Sequence, residues 1–94
     1  MAELSVVHRN EASRFELKKD GHTAVLDYRI EGDKIRFYHT GVPGPLEGQG
    51  IGKTLVIAGL DFAKKEELQV IPQCWFVAGY IQRHPEWKTL VAKS

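Results

Sequence analysis

A single cysteine leaves the chain without the means for an internal disulfide. It fits a reducing compartment, or a reactive thiol. A surplus of one charge is missing too. Thirteen Lys and Arg stand against twelve Asp and Glu, for a formal net charge of +1. That balance carries no electrostatic signature of nucleic acid or a membrane surface as partner. No apolar run could span a bilayer, and the opening MAELSVVHRNEAS has no apolar stretch of signal-peptide length. A cytoplasmic protein is expected. Internal repeats, low-complexity tracts and linkers are also lacking. What is present is a 94-residue chain, 43% hydrophobic, with aromatics spread along its length. That is enough for a core and too much for a disordered chain. Residues 1–94 are therefore expected to form one domain.

The first forty residues read as an antiparallel meander. Leu4 to His8 is an apolar run read as a first strand, and Asn10 to Ser13 as a turn. Arg14 to Lys18 alternates, with Phe15 and Leu17 on one face. Asp20-Gly21 is a hairpin signal. Thr23 to Ile30 alternates again, with Ala24, Leu26, Tyr28 and Ile30 sharing a face. Lys34 to Thr40 follows as a fourth strand, and strict alternation sets Ile35, Phe37 and His39 on one side of it. From Gly50 to about Lys65 the apolar residues recur at helical spacing. Leu68 to Ile71 is a short buried strand, Cys74 to about Gln82 a second helix stopped by Pro85, and Trp87 to Val91 a tail with room for one more short strand. A helix between the fourth and fifth strands makes those two parallel if they are neighbours. Parallel strands that splay at their carboxyl ends leave a slot.

At the mouth of that slot lies the most informative stretch, HTGVPGPLEGQGIGKTL from His39 to Leu55. Strand, glycine loop and helix N-terminus together suit an anion. Glycines let backbone approach a ligand, the first helical N–H groups lack intrahelical partners, and the helix dipole adds positive potential there. Lys53 and Thr54 add a charge and a hydroxyl in the first turn. Gly52-Lys53-Thr54 fits the end of a Walker A loop, but Glu47 stands where its first glycine belongs. A dinucleotide fingerprint needs Gly-x-Gly-x-x-Gly, whereas the spacing here is Gly-x-Gly-x-Gly. An acyl-CoA pyrophosphate loop, Arg/Gln-x-x-Gly-x-Gly/Ala, aligns with Glu47 to Gly52 in its glycines and not in its first residue. A glycine-rich turn that merely starts a helix is the remaining alternative.

Three motifs in order carry a resemblance: His39-Thr40-x-Val42-Pro43, then Gly48-x-Gly50-Ile51-Gly52, then Ile71-Pro72-x-Cys74-x-Phe76-Val77 with His84-Pro85-Glu86-Trp87. With them the chain, from about Phe15 to Trp87, resembles the GNAT superfamily of N-acetyltransferases, in its small single-domain YjdJ-like branch. The resemblance implies an α+β, trimmed GNAT-like fold: a mostly antiparallel sheet with one splayed parallel pair and two helices. It lacks the early helices with which larger members shape the acceptor site. It implies acetyl-CoA as co-substrate, an amine acceptor on a small molecule or protein, no metal, and a monomer or weak dimer. The pyrophosphate is expected on Gly48, Gln49, Gly50, Ile51 and Gly52, with Lys53 and Thr54 beside it, and the pantetheine arm along Thr40, Gly41 and Val42. The thioester is then expected near His39 and Cys74. Glu47 departs from the Arg or Gln usual in the superfamily, and a carboxylate near a pyrophosphate is unfavourable unless it points away.

Acetyl transfer to an amine needs a base, a polarised thioester carbonyl and a proton for the leaving thiolate. His39, where strand meets loop, is the first base candidate; shaping the loop through hydrogen bonds is its plainer role. Cys74 begins the second helix, where thiolate is favoured. It is a candidate to accept the acetyl group, to protonate the leaving thiolate or to form a mixed disulfide with CoA; a small buried hydrophobe is the alternative. The resemblance suggests Tyr80 as an acid toward the thiolate, against a core aromatic stacked one turn after Phe76. His84 is a candidate for the adenosine end of CoA or for a helix cap. The competing function is a non-catalytic acyl-CoA-binding or sensing module.

Overall fold

The computed structural model describes residues 5–93. Five strands form one sheet in chain order: β1 (Val6–Arg9), β2 (Arg14–Lys19), β3 (His22–Glu31), β4 (Lys34–Gly41) and β5 (Gln69–Pro72). The first four pair antiparallel, and β5 pairs with β4 in parallel across the helical crossover α1 (Ile51–Lys65). A second helix, α2 (Trp75–Arg83), follows β5. The mixed α+β architecture is the expected one. The β2–β3 hairpin turns on Asp20 and Gly21, at φ 51 and 78, the geometry that suits the right-handed twist of a hairpin.

Both helices pack on one face of the sheet. Phe15, Leu17, Ala24, Leu26, Tyr28, Ile35 and Phe37 meet Leu55, Val56, Leu60 and Ala63 of α1 and Val77, Tyr80 and Ile81 of α2. Each fully buried aliphatic or aromatic side chain contributes about 1.5–3 kcal/mol from lost water contact. β1 is fastened by His8, whose ring stacks on Phe15 at 4.1 Å, meets Phe62 edge-on at 4.5 Å and bonds the Tyr28 hydroxyl at 2.6 Å. The other face of the sheet carries no described element. Its charges are laced together across the strands: Arg9 with Glu16, Arg14 with the buried Asp27, and Arg36 with Glu31.

Three expectations need correction. The first strand runs Val6–Arg9, one residue beyond the expected end, and Leu4 lies outside the described residues. The tail does not add a strand. Pro85–Leu90 is a 3-10 helix, and only Val91 reaches the sheet, in a single parallel bridge to Val70. The third correction matters most. A bulge interrupts the β3–β4 ladder: Tyr28 pairs with Phe37, and the next pair is Asp27 with His39. Tyr38 is the extra residue, so every later side chain of β4 changes face. His39 therefore leaves the Ile35–Phe37 face and stands on the open side opposite Asp27, and Thr40 turns toward the helices opposite Leu26.

Candidate functional site

The parallel pairing of β4 with β5 stops at Phe37–Pro72. A hydrogen bond from the Cys74 amide to the Phe37 carbonyl, 2.9 Å, is the last link. Beyond it β4 continues to Gly41 with no strand paired on that side among the described residues. This is the slot expected between splayed parallel strands.

The chain then crosses the end of the slot as a loop. Buried Leu46, in a short 3-10 turn (Gly44–Leu46), anchors the loop to the core. Gly50 caps α1 at φ 75, a left-handed conformation that side chains disfavour. The first helical hydrogen bond runs from the Thr54 amide to the Gly50 carbonyl, 3.0 Å. The amides of Ile51, Gly52 and Lys53 thus have no partner within the helix, and these three residues line a cleft of about 400 Å³. Thr40 and Val42 form its strand side. Leu46, Glu47 and Gly48 form its loop side, and Gly50 to Lys53 its floor. Phe76 closes it from α2. Its ring lies so close to Gly52 that a Cβ there would sit 2.6 Å from Phe76 Cζ.

Cys74 is half-buried at the start of α2, with Sγ 3.1 Å from Thr40 Oγ1. The bulge makes this contact, because it turns Thr40 inward. Of the residues singled out from the sequence, Thr40, Val42, Gly48, Gly50, Ile51, Gly52 and Lys53 line the cleft, and Cys74 touches it through Thr40. Others lie elsewhere. Gly41 faces the open side beside the His39 ring and Val25. The Gln49 amide donates to the Pro45 carbonyl at 3.1 Å, and its oxygen accepts from Lys19 Nζ. Thr54 bonds back to the Gly50 carbonyl, 2.9 Å. Tyr80 is buried, its ring tilted against that of His84 at 4.3 Å, and neither residue lines the cleft. Sequence reasoning missed Phe76 as a wall and Lys19 as a cation tied to the loop. A core aromatic and a cleft wall look alike in helical periodicity, and Lys19 comes from a strand 30 residues away from Gln49. Glu47 is an exposed residue of the cleft's loop side.

A strand edge without a partner, unpaired helix amides and a cleft between them suit an extended ligand that ends in phosphate. The family model of the GCN5-related N-acetyltransferases matches residues 14–90, and the chain belongs to that family. It is similar to protein NATD1 of Mus musculus, 34% identical over 85 residues, with 87% of this chain and 77% of the relative covered. Protein NATD1 of Xenopus tropicalis is 33% identical over 85 residues, with 87% and 78% covered. The solution structure of a GCN5-like protein from Staphylococcus aureus superposes with a TM-score of 0.76 at 26% identity, over 100% of this chain and 93% of that one. Among the described residues no helix is long and apolar enough to cross a membrane, and no group of three or more His, Cys, Asp or Glu is placed to hold a metal ion.

Proposed function

We propose that the protein transfers an acetyl group from acetyl-CoA to a primary amine, as a single cytoplasmic domain. The observation that carries this is the juncture of the unpaired β4 edge, the free amides at the start of α1 and the cleft between them. Acetyl-CoA supplies the activated acyl group. The amides of Ile51, Gly52 and Lys53 hold its pyrophosphate, assisted by the Lys53 charge. Thr40 to Val42 offer backbone groups to the pantetheine arm in the manner of a strand partner. Gly52 and Phe76 set the width of the passage. Glu47 lowers affinity through repulsion, and Lys19, bonded to Gln49, offsets part of it.

The two sides of the slot then have separate tasks. On the helix side, the hydrogen bond between Thr40 and Cys74 orients the thiol, which is placed to give a proton to the leaving thiolate. On the open side, His39 is the base for the incoming amine. The proton taken from the amine and the proton given to the thiolate balance, so no further reactant is required. Tyr80 serves as a packing residue in this reading. The second reading, an acyl-CoA-binding module without turnover, is favoured by the acidic residue Glu47 on the loop side of the cleft.

Calorimetric titration with acetyl-CoA, and transfer assays on a panel of amines, separate these readings. Wild type is expected to bind and turn over. Gly50→Asp is expected to fold and lose binding, because it sets a carboxylate where phosphate lies. Binding without transfer to any amine supports the binding module. Unchanged affinity in Gly50→Asp refutes the assignment of the loop.

A further inference from the structure

A cation is held against the glycine loop from outside the cleft. Strand β2 keeps an unbroken register with β3, so Phe15, Leu17 and Lys19 share its helix-side face. Phe15 and Leu17 are buried in the core. Lys19 comes next, at the end of the strand, and is half-buried. A lysine at such a place lays its stem on apolar surface and keeps its ammonium in water. There it meets the loop: Lys19 Nζ donates to Gln49 Oε1. The other end of the Gln49 amide, Nε2, donates to the Pro45 carbonyl at 3.1 Å. Gln49 stands between Gly48 and Gly50, which both line the cleft. One glutamine side chain thus separates the Lys19 ammonium from the loop side of the cleft.

The partner is an amide, and this decides what Lys19 can do. Gln49 accepts one of the ammonium's donors and leaves its charge in place. Among the described residues Lys19 forms no ion pair. Its neighbour Asp20 and the loop carboxylate Glu47 are both exposed. The remaining donors and a full positive charge therefore stand beside an anion site. A pyrophosphate in the cleft already has Ile51, Gly52 and Lys53, and Lys19 is not among the cleft's lining residues. CoA carries a further phosphate, on the 3′ position of the ribose that bears the pyrophosphate. The group that meets it must stand beside the pyrophosphate site and outside it, and Lys19 satisfies both conditions. His84, the residue expected at the adenosine end, packs on Tyr80 past the end of α2. Lys64 and Lys65 lie in the last turn of α1, at the opposite end from the loop.

Resting on the reading of the chain as an acetyl-CoA-dependent transferase, we infer that Lys19, held in place by Gln49, binds the 3′-phosphate of CoA. The protein thereby selects CoA thioesters over their 3′-dephospho forms.

The test titrates the whole protein calorimetrically with acetyl-CoA and with acetyl-3′-dephospho-CoA, and the ratio of the two affinities is the readout. A general loss of CoA affinity weakens both ligands and leaves that ratio unchanged. Wild type is expected to favour acetyl-CoA about tenfold, and less as salt rises. Lys19→Ala is expected to bring the ratio to about two or below. Lys19→Arg keeps the charge and the donors and is expected to restore it. Lys53→Ala is expected to weaken both ligands together. Equal affinities in wild type overturn the inference and leave the acetyl-CoA reading standing. So does a wild-type ratio in Lys19→Ala, or a ratio lost in Lys53→Ala instead. Binding of neither ligand overturns the acetyl-CoA reading itself, and this inference with it.

Discussion

Two glycines of α1 offer the same substitution with opposite expected outcomes. A Cβ at Gly59 would stand 2.9 Å from Leu26 Cδ2 and 2.9 Å from Phe37 Cε1. Both neighbours are fully buried, so neither can yield without moving the helix off the sheet. Overpacking of this kind costs about 1–3 kcal/mol, and alanine returns up to about 1 kcal/mol of helix propensity. Gly59→Ala should therefore lose about 1–2 kcal/mol, a fall in Tm of about 5–15 °C for a domain of this size. A Cβ at Gly52 would approach Phe76 more closely still, at 2.6 Å. Phe76, however, is 41% exposed and its ring can swing outward. Gly52→Ala should change stability by no more than about 0.5 kcal/mol. The cost appears instead in the cleft, where losing the Phe76 wall should weaken acetyl-CoA about tenfold, or ~1.4 kcal/mol. Urea melts and calorimetric titration of both variants decide the matter. Equal Tm shifts and equal acetyl-CoA affinities would refute the argument that close approach at these two positions sets, respectively, helix packing and cleft shape.

Other outcomes follow from single contacts. Cys74→Ala should retain acetyl-CoA binding and slow acetyl transfer; wild-type rates would make Cys74 a packing residue. Arg14→Ala leaves the buried Asp27 carboxylate without its 2.7 Å partner and should cost about 1–3 kcal/mol in urea melts; no loss would show that water replaces the pair. Burial lowers the His8 pKa from 6.5, against a smaller opposing pull from Glu11. The folded state thus binds fewer protons at this site than the unfolded state, and stability rises with pH. The contribution is complete above 6.5 and is lost as pH falls below it. Between about pH 7.5 and about pH 5, Tm should drop less in His8→Gln than in wild type, and equal drops would contradict the assignment.

Much of the fold is legible in the residues because local signals agree. Asp20-Gly21 can hardly do other than turn a hairpin, and the apolar stripe from Ile51 to Ala63 has a single compatible surface to bury against. The glycine loop is legible for the same reason, since its backbone demands are local. The bulge at Tyr38 is not. It is a property of two strands in register, and β4 taken alone alternates without a break. One extra residue there exchanges the faces of His39 and Thr40, and so decides which of them meets Cys74. The 3-10 turn at Pro85–Leu90 escapes for a related reason. Its apolar residues Trp87 and Leu90 pack against the core beside α2 and α1, and periodicity over six residues does not distinguish a strand from a tight helix. Phe76 shows the same limit: spacing places it on a helix, and only the fold makes it a wall.

The most direct measurement of the central claim is an acetyl-CoA titration of uniformly 15N-labelled protein, followed through its amide resonances. The account predicts saturable shifts concentrated at Gly48 to Lys53 and at Thr40 to Val42, with the open-face residues Arg14 and Glu16 undisturbed. No saturable shift, or shifts centred away from the start of α1 and the end of β4, would contradict it.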